Sequence, residues 1–192
     1  MNVLNISSLI ERLRSFDIRL ERGLTTEELL RAEQTYEIRF PPDLRELLQQ
    51  ALPYGESFPD WRNFSARNVK SIRESLNWPL DGLLFDVENN RFWPERWGPR
   101  PQQLEQAKSA AKKHFEHVPK LIPVRGHRYL PATPYEAGNP VFSVHQTDVI
   151  PYGENLADYF EIEYRHKLYE EMNFERIKPI DFWGELGWSD EV

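Results

Sequence analysis

The sequence predicts an α+β fold: one domain over residues 1–192, built on a largely antiparallel β-sheet flanked by α-helices. Three observations carry that expectation. The first part of the chain repeats apolar residues at helical spacing, and the part after Lys120 breaks into short apolar runs between turn signals. The two textures do not alternate in the regular strand-helix-strand manner of a parallel sheet. A hydrophobic content of 40% with 13% aromatics in 192 residues is enough to fill one core, so a folded chain rather than a disordered one is expected.

Taken in order, Ile6, Leu9, Ile10, Leu13 and Phe16 fall on one helical face, and residues 1–22 read as an N-terminal helical extension. Gly23 breaks that pattern. Thr25 then has the character of an N-cap, with Glu28 three residues on and Leu24 able to staple onto Leu29. That helix runs to about Tyr36. Pro41-Pro42-Asp43 opens a third helix, since proline suits the first turn and an acid there complements the helix dipole. Leu44, Leu47, Leu48 and Leu52 form its apolar stripe, and Pro53 and Gly55 end it.

Residues 56–64 carry Phe58, Trp61 and Phe64 without a clean period, as expected of a short strand or packed loop. Val69, Ile72 and Leu76 mark a short helix that Pro79 closes. Gly82 to Trp97 reads as a hairpin, with Leu83, Leu84 and Phe85 as core, Asn89-Asn90 in the turn, and Phe92 and Trp93 on the return. Gly98, Pro99 and Pro101 form a rigid connection to a surface helix with Leu104, Ala107, Ala111 and Phe115. Strands are expected at Leu121 to Val124, at Tyr129-Leu130 and at Val141 to His145, with Val149-Ile150 extending the sheet. Tyr152-Gly153 leads to a helix with Leu156, Tyr159 and Phe160. Residues 165–192 form a tail whose Ile180, Phe182, Trp183, Leu186 and Trp188 are apolar enough to dock on the body.

Composition excludes several chemistries. The chain has no cysteine, which removes disulfides, thiolate metal sites and a Cys nucleophile, and fits a reducing cytoplasm. A net charge of -7 argues against phosphate-backbone binding, so no direct nucleic-acid partner is expected. Neither a signal peptide nor an apolar run of membrane-spanning length is visible, and no membrane partner is expected. The nine glycines match no phosphate-cradling or dinucleotide spacing, and no cofactor is expected.

The segments Leu24-Thr25-Thr26-Glu27-Glu28 and Phe40-Pro41-Pro42-Asp43-Leu44, each opening a helix, resemble the opening motif of the SUKH superfamily, the Smi/Knr-type proteins. GLLFDVENNRFW, LIPVRGHRYLP and NPVFSVHQTDVIPYG resemble a bacterial branch of it, and together the segments cover most of residues 24–164. The chain departs from the family pattern in carrying Phe40 where leucine is common, and in having only Pro53-Tyr54-Gly55 where a Gly-rich turn is common. The resemblance implies an antiparallel α+β fold. It further implies an immunity protein that binds and neutralises a bacterial toxin, often a nuclease, with an intracellular regulatory or scaffold module as the other reading.

On that reading the partner is a cognate toxin domain with a basic surface, met by a monomer or weak homodimer. Asp60, Trp61, Asp86, Glu88 and Trp97 are the candidate contacts, with Trp61 and Trp97 expected to be exposed among an aromatic group that also includes Tyr54, Trp78 and Trp93. Arg125, His127, Arg128 and Tyr129, with His145 and Asp148, form a polar cluster that either lines a pocket or bridges carboxylates such as Asp86 or Asp148 inside the fold. His127, Arg128 and His145 are the residues an enzyme reading would use, but no catalytic residue is assigned. Ser143 and His145 share a strand face about 7 Å apart, too far for a triad hydrogen bond. His114 and His117 at i and i+3 lack a third ligand nearby, so no metal is expected.

Overall fold

The computed structural model describes residues 5–55 and 57–187. Helix α1 (Ile6–Ser15) starts where the Asn5 side chain accepts from the Ser8 amide. Its apolar face packs into the same core as α2 (Thr26–Tyr36) and α3 (Pro42–Gln50). The start of α2 is the expected capping box: Thr25 Oγ1 accepts from the Glu28 amide and Glu28 Oε2 accepts from the Thr25 amide at 2.8 Å. Leu24 and Leu29 beside it are both buried. The short strands β1 (Leu20–Arg22) and β2 (Ala51–Pro53) pair antiparallel, and Leu52 belongs to this ribbon rather than to the α3 stripe. Gly23 permits the crossing, because a Cβ there would lie 1.8 Å from the Gln49 carbonyl oxygen.

The main sheet has the order β3 (Leu121–Arg125), β4 (Arg128–Pro131), β5 (Val141–His145), β6 (Asp148–Gly153), antiparallel throughout. Side chains alternate between its faces, and each face has its own core. Ile122, Val124, Leu130 and Val141 join α1, α2, α3 and α6 (Leu156–Glu163). Leu121, Tyr129, Phe142, Val144 and Val149 join α4 (Ala66–Asn89), α5 (Leu104–Phe115) and α7 (Trp183–Gly187). The α+β class with a helix-flanked antiparallel sheet is therefore what the chain adopts. Of the apolar residues named in the tail, Ile180, Phe182 and Trp183 are buried, and the Trp183 indole donates to the Pro119 carbonyl at 2.6 Å. Trp188 lies outside the described residues.

The hairpin expected from Gly82 to Trp97 does not form. Residues 66–89 are one helix of 24 residues, capped by Ser65, with Pro79 inside it. Leu83, Asp86 and Val87 supply the helical period that the hairpin reading discounted. Pro79 has no amide to give the Ser75 carbonyl. That carbonyl instead accepts the Tyr129 hydroxyl at 2.8 Å, so it is not left without a donor. Asn89 and Asn90 end the helix instead of turning a hairpin: their amides donate to the Phe85 carbonyl and to Asp86 Oδ1. Arg91 then turns the chain at φ 57°, and the next element is a single 3-10 turn at Glu95–Trp97. Gly82 lets the β5–β6 turn lie directly on α4, since a Cβ there would come 2.7 Å from Gln146 Cα.

Candidate functional site

The sequence-predicted contacts do not share one surface. Trp61 is 2% exposed, held edge-on by Phe40 and Tyr36 with ring centroids 4.9 and 5.7 Å away. Trp97 is 9% exposed and stacks between His114 and Phe182 at 5.1 and 5.9 Å. The expectation that these two tryptophans are exposed is thus corrected: each is an aromatic keystone of its core, and His114 serves as a stacking partner. Asp86 is also buried. Its Oδ2 accepts the Thr147 amide and hydroxyl at 2.9 and 2.6 Å, so this carboxylate ties the end of α4 to the β5–β6 turn. Asp60 is half-buried, and Glu88 is exposed and pairs with Lys108 at 2.7 Å.

The polar cluster divides. Arg125 and Arg128 converge on Glu163 of α6, with Arg125 Nη1 2.5 Å from Oε1 and Arg128 Nε 3.3 Å from Oε2. Arg128 also donates to Ser143 Oγ at 2.6 Å and lies over the Tyr152 ring. The carboxylate that closes this cluster is therefore Glu163, not Asp86 or Asp148. His145 and Asp148 sit opposite each other at the exposed end of the β5–β6 hairpin. Tyr129 is buried under α4, where its hydroxyl holds Ser75.

His127 belongs to a different place, the groove along α4. A hollow of about 290 Å³ is lined by Glu74, Ser75, Trp78, Gly126, His127 and Tyr129. A second of about 260 Å³, reaching Asp60, Asn68 and Ser71, shares Ser75 and Gly126 with it. Two of the groove's hydroxyls are already engaged: Ser75 Oγ donates to the Ser71 carbonyl and Tyr129 to the Ser75 carbonyl. Burial, and then the nearby Arg128 charge, hold the His127 imidazole below its ordinary value, so at neutral pH it adds no cation to this wall.

Trp78 forms the rim of the groove and is 47% exposed, and Phe85, further along α4, is 48% exposed. Among the described residues neither ring has an aromatic or cationic partner, whereas exposed Tyr54 and Tyr135 are covered by Arg19 and Arg39. Glu74, Asp81 and Glu88 are exposed on the same helix. Sequence reasoning did not place Glu74, Asp81 and Phe85 in a site, and did not expect Trp78 to be the exposed tryptophan among the described residues. Reading Pro79 as a stop and Gly82 onward as a hairpin divided the helix that unites them.

Among the described residues, no group of three or more His, Cys, Asp or Glu is placed to hold a metal ion, and no helix is long and apolar enough to cross a membrane. Comparisons of the chain with protein-family models, with curated proteins and with solved structures found no match.

Proposed function

We propose that this protein is a non-catalytic, cytoplasmic binding protein of the SUKH type that uses the outer side of α4 to occlude a toxin domain with a basic surface. The observation that supports this is the pair of half-exposed aromatics, Trp78 and Phe85, set among the exposed carboxylates Glu74, Asp81 and Glu88. Uncovered aromatic side chains are the commonest energetic anchors of protein interfaces. Acidic groups around them speed encounter with a basic surface and fix orientation, while burial of the rings slows release. A net charge of -7 has the same sign. The toxin identity of the partner comes from the SUKH resemblance; the α4 location comes from exposure and charge.

The test is co-expression with a toxin domain encoded beside this chain. Growth should be restored, the two proteins should co-purify, and their affinity should fall as salt rises. Asp81→Lys with Trp78→Ala should abolish protection. A toxin that kills in the presence of wild-type protein and forms no complex would remove the immunity reading. Full protection by the double variant would remove α4 as the contact.

A further inference from the structure

The exposed residues of α4 have an order that says what kind of surface they fit. Glu74, Trp78, Asp81, Phe85 and Glu88 are spaced 4-3-4-3 and are all exposed, so acid and aromatic side chains alternate along one stripe. Fourteen residues of helix make that stripe about 21 Å long, with a step about every 5 Å. A strand laid along it would present same-side residues about every 6.6 Å and fall out of step within a few contacts. A second helix has the same 3-4 repeat and stays in register along the whole length, because the stripe winds only about 20° per heptad.

The charges give the chemistry of that helix. Glu74, Asp81 and Glu88 recur every seven residues and flank the two rings on both sides. Asp81 makes no ion pair among the described residues, the Glu74–Lys70 pair is long, at 3.7 Å, and solvent-exposed, and Glu88 is already paired with Lys108 at 2.7 Å. Lysine or arginine at heptad spacing would meet the carboxylates, and their stems would lie over Trp78 and Phe85.

We infer that α4 docks a basic amphipathic α-helix, side by side, with aliphatic residues of the partner packed against Trp78 and Phe85 and its Lys or Arg residues paired with Glu74 and Asp81, while Glu88 keeps Lys108. This rests on the reading of α4 as the contact face and names the element of the partner that lies on it.

The probe is a labelled synthetic helix with leucine at 3-4 spacing and lysine at the flanking heptad positions, titrated with the full chain by fluorescence anisotropy. Two control peptides replace the lysines with glutamate or scramble the order at constant composition. The lysine helix should bind, and each control should bind at least about tenfold more weakly. Trp78→Ala with Phe85→Ala should weaken binding of the lysine helix by about tenfold or more, while Leu168→Ala, an exposed position off the stripe, leaves it unchanged. Equal binding of the scrambled peptide, or no effect of the double substitution, would overturn the inference. A toxin complex that depends on Trp78 while the lysine helix does not bind would sink the helical partner and leave the reading of α4 standing; a bound lysine helix with no toxin neutralised would do the reverse.

Discussion

The Glu163 cluster and the outer side of α4 both combine charged and aromatic side chains, and they differ in closure. Around Glu163, two arginines, Ser143 and Tyr152 pack together with limited solvent access: the Arg128 and Glu163 side chains are 13% and 15% exposed and Arg125 29%, and Arg125 Nε is buried without a hydrogen-bond partner among the described residues. On α4, carboxylates and rings alternate in solvent, and the rings touch no other aromatic or cationic group among the described residues. Charged and aromatic residues packed against each other hold a fold together. The same residues left uncovered on a rigid helix are available to something else.

That contrast is broken most directly at Arg128. Arg128→Ala leaves a mostly buried carboxylate with one arginine fewer, and should destabilise the protein by about 2–3 kcal/mol in urea unfolding; wild-type stability in that variant would make the cluster as dispensable as a surface. Next in size is the Tyr129 contact. Tyr129→Phe should cost about 1–2 kcal/mol by stripping the Ser75 carbonyl of its donor. In a Pro79→Ala background the cost should shrink, because the restored amide of residue 79 reaches the same carbonyl, and a double-mutant cycle measures the difference.

His127 sharpens the contrast through pH. Its folded pKa lies below its ordinary value, so the unfolded chain binds the proton more readily and stability falls as pH drops through about 6.5 toward the folded value. His127→Gln should flatten the stability curve in that window and match wild type above it, as read from unfolding at a series of pH values. The smallest effect belongs to the open face: Trp78→Ala should shift stability by no more than about 0.5 kcal/mol, and a drop as large as that of Arg128→Ala would mean that the ring is structural after all.

Elements whose signals are local were legible in the sequence. Thr25 and Glu28 complete their capping box within one turn of helix, and Pro42 stands at the start of α3 where its missing amide costs nothing. Pro79 carries the same local signal, yet its consequence is set by Tyr129, which reaches the Ser75 carbonyl from 54 residues away. Asn89 and Asn90 suit a hairpin turn, but Asp86, fixed by Thr147 from 61 residues away, holds Asn90 at a helix end. The candidate site suffered in the same way. Whether a tryptophan is buried depends on which rings reach it, and Phe182 arrives at Trp97 from the far end of the chain.

Gly82 has a consequence for how this surface can change over generations. It sits between Trp78 and Phe85 on the helix, pressed against Gln146, and any side chain there would push α4 away from the sheet. Its neighbours on the outer stripe carry no such constraint. Substitutions at 74, 78, 81, 85 and 88 can therefore accumulate while the glycine stays fixed, so the outer stripe can be rewritten without rebuilding the fold that presents it.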